Sequence, residues 1–172
     1  TDLVRQGKKT DLLLGNNVLA HVPDINDFVK GIKIVLKEEG IVTMEFPHLL
    51  QLVKHNQFDT IYHEHFSYLS FTTVNEIFKK QGIELFHVEE IPTHGGSMRI
   101  CGKHIEDSSK ERRESVNLLL QKENEAGINS IDYYKGFQKR VEKVKFEFLQ
   151  FLLNAKAEGK KVVNEARQKA EK

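Results

Sequence analysis

The densest chemistry in the sequence lies at 59–70, DTIYHEHFSYLS, where Tyr62, His63, Glu64, His65 and Tyr68 crowd together. Imidazole titrates near ~6.5 when unperturbed, and a neighbouring carboxylate or phenol tunes it. A positioned base of this kind contributes roughly 10²–10⁴-fold in rate. A base, a carboxylate and a phenol together suit removal of a proton from a weakly acidic C–H bond. A metal reading is also open. In a strand, His63 and His65 would share one face, but Glu64 would point away and a third ligand is wanting. The four-residue His spacing of helical metalloproteases is absent. The plainest alternative is a hydrogen-bonded polar loop.

Two further stretches carry polar groups. In GNNVLAHVPD (15–24), Asn16 and Asn17 follow an apolar run and can bind a ligand or cap the next turn. His21 lies in an apolar segment, where a satisfied core histidine is the default. In THGGSMR (93–99), paired glycines let the backbone approach a ligand, Ser97 can donate, and Arg99 suits a phosphate or carboxylate. A glycine-containing hairpin turn with a surface arginine explains that stretch equally well. No G-x-G cofactor loop and no P-loop occur.

The elements that must position these residues follow from periodicity. The runs 11–17, 41–47, 83–91 and 97–102 read as strands, the second ended by Pro47. The turn PTHGG suits an antiparallel pair of the last two. Between them, 24–40 reads as an amphipathic helix with Asp24 as N-cap and Gly40 just past its end, and 72–82 as a helix closed by Gly82. Strands alternating with helices imply a largely parallel α/β sheet, whose ligands bind beyond the carboxyl ends of the strands. The polar stretches fall there.

All eight histidines lie at or before His104, and a Lys-, Glu- and Leu-rich stretch follows. The shift puts a boundary near 104–108. Beyond it, 109–125 and 130–158 read as helices, the second capped by Ser130 and ended by Gly159. Its stripe Phe137, Val141, Val144, Phe148, Phe151 and Ala155 needs a partner, either the sheet domain, the neighbouring helix or another copy. GKKVV (159–163) reads as the start of another strand. The expected organisation is 1–104, a helical extension over 105–160, and a tail or truncated domain over 161–172.

With 172 residues, 39% hydrophobic and 30% charged, the chain can build a core. A net charge of +1 argues against a general nucleic-acid or membrane-surface binder. One cysteine, Cys101, excludes an intramolecular disulfide and a zinc ribbon. No apolar run approaches the ~20 residues of a membrane span. The default expectation is a soluble cytoplasmic protein.

Taken together, NNVLAHVPD, EFPHLLQLVKHNQFDTIYHEHFSYLS and PTHGGSMRI, in that order and spacing, resemble the S-adenosylmethionine-dependent sugar C-methyltransferases. These act on nucleotide-linked keto-deoxysugars. The resemblance covers about 3–104 strongly and the region to about 163 more weakly. It implies the C-terminal half of a Rossmann-like class I methyltransferase sheet followed by a helical segment. It also implies proton abstraction next to a ketone, with the enolate attacking the methyl group of the cofactor. Matched by motif, His65 resembles the general base, Tyr62 and Glu64 its partners, and His21 a histidine near the reacting centre. Asn16 and Asn17 fall on the cofactor-side loop, and His63, His94, Ser97 and Arg99 on the sugar-nucleotide side. The family's cysteine-rich zinc module and glycine-rich cofactor loop have no counterpart in the sequence. On that comparison the chain is expected to be a fragment, weak or inactive alone, with strand 11–15 as an open edge at which two copies pair. A non-catalytic scaffold or partner subunit is the alternative.

Overall fold

The computed structural model describes residues 2–161. After one helical turn, α1 (Asp2–Arg5), come β1 (Thr10–Asn16), α2 (Ile25–Val35), β2 (Leu36–Pro47), α3 (Leu49–Lys54), α4 (Phe71–Lys80), β3 (Ile83–Ile91) and β4 (Ser97–His104). The strands form one sheet in the order β1-β2-β4-β3. β1 and β2 are parallel, joined by the crossover helix α2, and β4 runs antiparallel to both its neighbours. The α/β class is as expected, but the sheet is mixed rather than largely parallel, because β4 lies between β2 and β3 and runs against both.

The core lies on one sheet face. Met44, Phe46, Met98 and Ile100 of the central strands pack with Val29 and Ile32 of α2 and with Phe71, Val74 and Phe78 of α4. α2 starts where the sequence indicates, with the Asp24 carboxylate accepting the Asp27 N–H at 2.9 Å. It ends earlier, because Leu36 is already extended and begins β2. Leu36 is fully buried and pairs with Thr10, and Gly40 lies inside the strand rather than past a helix. Helix propensity in LKEEG is worth only about a few tenths of a kcal/mol per residue, and strand pairing with apolar burial outweighs it.

α5 (Glu114–Ala126) follows a turn in which the Asp107 carboxylate accepts the Ser109 N–H and pairs with Lys110, which delays the helix expected from 109. α5 packs against β3 and buries Val116 and Leu119 in the same core. The compact unit therefore runs to Tyr134, well past the change in composition at 104. The helix expected over 130–158 is two, α6 (Ile131–Tyr134) and α7 (Phe137–Ala157). Gly136, at φ 86°, breaks it, since a left-handed residue cannot continue the helical ladder. α7 ends at Gly159 with paired bonds, Lys160 N–H to the Ala155 carbonyl and Gly159 N–H to that of Lys156. Taken by itself, the described part of this second unit is one long helix with Val144, Phe148 and Phe151 exposed. The strand expected from 159 falls mostly outside the described residues, as does the tail 162–172.

No helix among the described residues is long and apolar enough to cross a membrane. β1 has a neighbour on one side only among the described residues, and its Leu12 and Leu14 are exposed.

Candidate functional site

At one end of the sheet, Pro47 pairs with Ser97 and Ile91 pairs with Ser97, so β2 and β3 end where β4 begins. β1 ends there too, at Asn16 opposite Glu45. Three loops emerge side by side, 16–24, 48–70 and 92–96, and every nominated residue except Arg99 lies in or directly beside them.

The 48–70 loop is closed at its base by the Leu49 N–H donating to the Leu69 carbonyl at 3.0 Å. Its tip is a turn, with the His65 N–H on the Tyr62 carbonyl at 3.1 Å, and not a strand. His63 and His65 therefore do not share a face. His63 is exposed, and His65 is half-buried against the rings of Tyr62, His21 and Tyr68 at centroid distances of 4.3, 4.7 and 5.8 Å. The Nδ1 of His65 lies 2.9 Å from the Thr60 carbonyl, and the Nδ1 of His21 lies 2.9 Å from the Glu64 carbonyl. A carbonyl oxygen only accepts, so both rings carry their proton on Nδ1, and the neutral ring keeps its lone pair on Nε2. That is the tautomer a general base needs. Glu64 acts here through its main chain, and its side chain is exposed. The Ala20 carbonyl accepts the Phe66 and Ser67 N–H groups at 2.9 and 3.3 Å, which stitches the loop bearing His21 to the loop bearing His65.

A second cluster joins the 16–24 loop to the turn before β4. Asn17 and His94 both hold left-handed backbones, φ 54° and 51°, and the Asn17 carboxamide meets His94 Nε2 at 3.3 Å. For a residue with a Cβ this conformation costs roughly 1–2 kcal/mol. It persists here because the Asn17 N–H is held by the Glu45 carbonyl at 2.8 Å. Gly96, at φ 118°, lets the turn close under Gln51.

Other nominated residues are committed to structure. The Arg99 guanidinium bonds Glu45 at 3.0 Å and Glu89 at 2.8 Å, and the bond to Glu45 foremost pushes its pKa further up. Its charge is met before any phosphate arrives. Ser97 is buried and its hydroxyl donates to the Thr93 carbonyl at 3.0 Å. Asn16 is exposed at the end of β1. Among the described residues no group of three His, Cys, Asp or Glu side chains is placed to hold a metal ion.

Two families match the chain: one described as a methyltransferase domain over residues 2–88, and one described as the C-methyltransferase C-terminal domain over 92–168. The C-methyltransferase NovU of Streptomyces niveus is 34% identical over 151 residues, which cover 88% of this chain. The chain belongs to the C-methyltransferase family. It spans 36% of the length of that curated relative. Among solved structures, an S-adenosylmethionine dependent methyltransferase from Mesorhizobium loti gives a TM-score of 0.46 at 13% identity, over 56% of this chain and 62% of that one. The magnesium protoporphyrin IX methyltransferase ChlM of Synechocystis PCC 6803 gives 0.43 at 15%, over 59% and 48%.

The two matched segments of this C-methyltransferase chain meet at a residue the sequence reading passed over. Glu123 of α5 is fully buried. Its Oε1 accepts His48 Nε2 and the Phe71 N–H, each at 2.7 Å, and its Oε2 accepts the Thr72 N–H at 2.7 Å and the Thr72 hydroxyl at 2.6 Å. Burial alone would raise its pKa, but the donors from His48, Thr72 and Phe71 outweigh that and hold the carboxyl below the usual range. A signal was present: Val116, Leu119 and Glu123 are spaced as one helix face, so a carboxylate stood at a core position. Glu45 gave a similar signal, a buried charge at the end of an apolar strand.

A cavity of about 570 Å³ lies elsewhere. It lies at the opposite end of the sheet, between Lys33, Glu39, His104 and Asp107, and its lysine is already paired with Glu106. Size here does not mark the chemistry.

Proposed function

We propose that the chain carries the substrate-side machinery of an S-adenosylmethionine-dependent C-methyltransferase acting on a nucleotide-linked keto-deoxysugar. One observation supports this most directly: the Thr60 carbonyl holds the His65 proton on Nδ1, leaving Nε2 as a base among His21, Tyr62 and Tyr68. A ketone acidifies the C–H bond beside it, so an imidazole suffices to remove that proton. The pair of electrons from that bond becomes the enolate, and the proton rests on His65 Nε2. Tyr62 flanks the developing charge and can donate its phenol O–H to it, while His21, its Nδ1 proton committed to the Glu64 carbonyl, packs against the base. Glu64 fixes His21 by its carbonyl. His63, and His94 through the ring nitrogen that Asn17 does not engage, would meet the sugar nucleotide, while Ser97 and Arg99 hold the turn beside them.

S-Adenosylmethionine, when bound, supplies an electrophilic methyl group for the enolate carbon. Asn16 and Asn17 fit its nucleoside end, since carboxamides at the carboxyl end of β1 offer paired donors and acceptors. Holding the reactants together accounts for much of such a rate.

Deuterium wash-in tests the base. The chain is incubated in D2O with the nucleotide-linked ketosugar and no cofactor, and the proton beside the ketone is followed by NMR. The expected result is exchange that His65→Gln slows by about 10²–10⁴-fold. Exchange no faster than buffer, or unaltered by His65→Gln, overturns the assignment.

A further inference from the structure

We infer that the buried His48–Glu123 pair is a positioning clasp for the base: α5 grips both ends of the 48–70 loop with one carboxylate and thereby sets where His65 stands. The inference rests on the reading of His65 given above.

The geometry is specific. His48 is the first residue of the loop and Phe71 the first after it. Glu123 Oε1 receives His48 Nε2 and the Phe71 N–H together, at 2.7 Å each. The second oxygen takes both donors of Thr72. With Ser70 accepting the Thr73 N–H at 3.1 Å, the opening amides of α4 are satisfied by two side chains. Both clasp side chains are fully buried, so water does not readily replace a lost bond. From His48 the main chain reaches further. Its N–H donates to the Gly96 carbonyl at 3.1 Å, which ties in the turn bearing His94. From the other end, Leu69 receives the Leu49 N–H, and the preceding Tyr68 ring stands edge-on to His65 at 5.8 Å. The clasp thus touches neither base nor substrate, and it holds the two chain ends from which the 48–70 loop, closed also by the Leu49–Leu69 bond, carries His65. His48 Nδ1 makes no hydrogen bond and lies 3.7 Å from Glu90, whose carboxylate is taken by Lys122 and Gln51. Nothing else competes for the ring. Glu123 and the loop also belong to different matched segments, 92–168 and 2–88, so the clasp is how one segment sets the other.

Glu123→Gln keeps the size but removes half the acceptor capacity, since one of the two oxygens becomes an amide nitrogen that cannot take its pair of donors. Imidazole ¹H–¹⁵N spectra of the 172-residue chain, recorded above the imidazole titration range, report each ring's tautomer. In the native chain His65 and His21 show the Nδ1–H form and His48 the Nε2–H form. In Glu123→Gln, His65 shifts to a mixture of tautomers, and hydrogen exchange of the Phe66 amide rises by about tenfold or more. Reduced stability alone leaves the tautomer of the folded chain unchanged. A folded Glu123→Gln with His65 still purely Nδ1–H and Phe66 equally protected overturns the clasp. Should the variant not fold, native-state exchange of the unaltered chain decides. The Leu49, Phe66, Phe71 and Thr72 amides then open as one unit with a shared denaturant dependence, and separate opening of Phe66 refutes the clasp. Neither measurement needs substrate, so a failed clasp and a failed base assignment are read from different experiments.

Discussion

His48 and His65 belong to the same loop and have opposite surroundings. His65, at the tip, is half-buried, held at Nδ1 by a carbonyl and open at Nε2. His48, at the base, is fully buried and spends Nε2 on a carboxylate. The partner decides the role: a neutral acceptor orients a ring and leaves it reactive, while a buried carboxylate converts it into structure. A loop with a rigid floor and an open tip can hold a base still without covering it.

That contrast can be broken at either histidine. The largest effect is expected at the tip, where His65→Gln slows deuterium wash-in by about 10²–10⁴-fold, equivalent to roughly 3–5 kcal/mol. Urea unfolding of that variant should stay within about 1 kcal/mol of the native chain, because no buried charge is orphaned. Glu123→Ala reverses the pattern. It strands His48 and the opening amides of α4, and unfolding should show a loss of about 3–5 kcal/mol. A loss below about 1 kcal/mol would place the pair among surface contacts.

Acid sharpens the comparison. The Glu123 carboxyl is held below its ordinary value, near ~4.3 in an unfolded chain. Its contribution is therefore complete above that value and is lost as pH falls through the lower folded pKa. The stability gap between the native chain and Glu123→Gln should stay constant down to about pH 4.5 and shrink below it, by urea titrations at several pH values. A gap that widened with acid would mean the carboxyl is not the stabilising group. The smallest effect is expected at Ser70→Ala, about 1 kcal/mol from the N-cap of α4, with the wash-in rate unchanged. A loss near that of Glu123→Ala would shift the clasp to Ser70.

Much of this was legible in order along the chain. The strands and helices came in the expected sequence, and the caps Asp24 and Gly159 stand where the residue types put them. The crowding of Tyr62, His63, Glu64 and His65 pointed to the loop in which a carbonyl orients His65, whereas His21 read by default as a core histidine and the fold sets it beside His65. Those signals act over a few residues, through capping bonds, period and turn chemistry, so a linear reading reaches them.

Other features needed the folded chain. Helix α2 stops at Val35 because Leu36 finds a strand partner in Thr10 and a place in the core. Arg99 looked free for a phosphate until the sheet register set Glu45 and Glu89 beside it. His63 and His65 parted because the tip is a turn. Glu123 was a charge at a core position whose partner lies 75 residues away. The amino-acid sequence by itself determined which groups are present, the order of the elements, and the family. Only the tertiary structure decided which of those groups stay reactive, because burial and long-range hydrogen bonding consume some charges and leave others open.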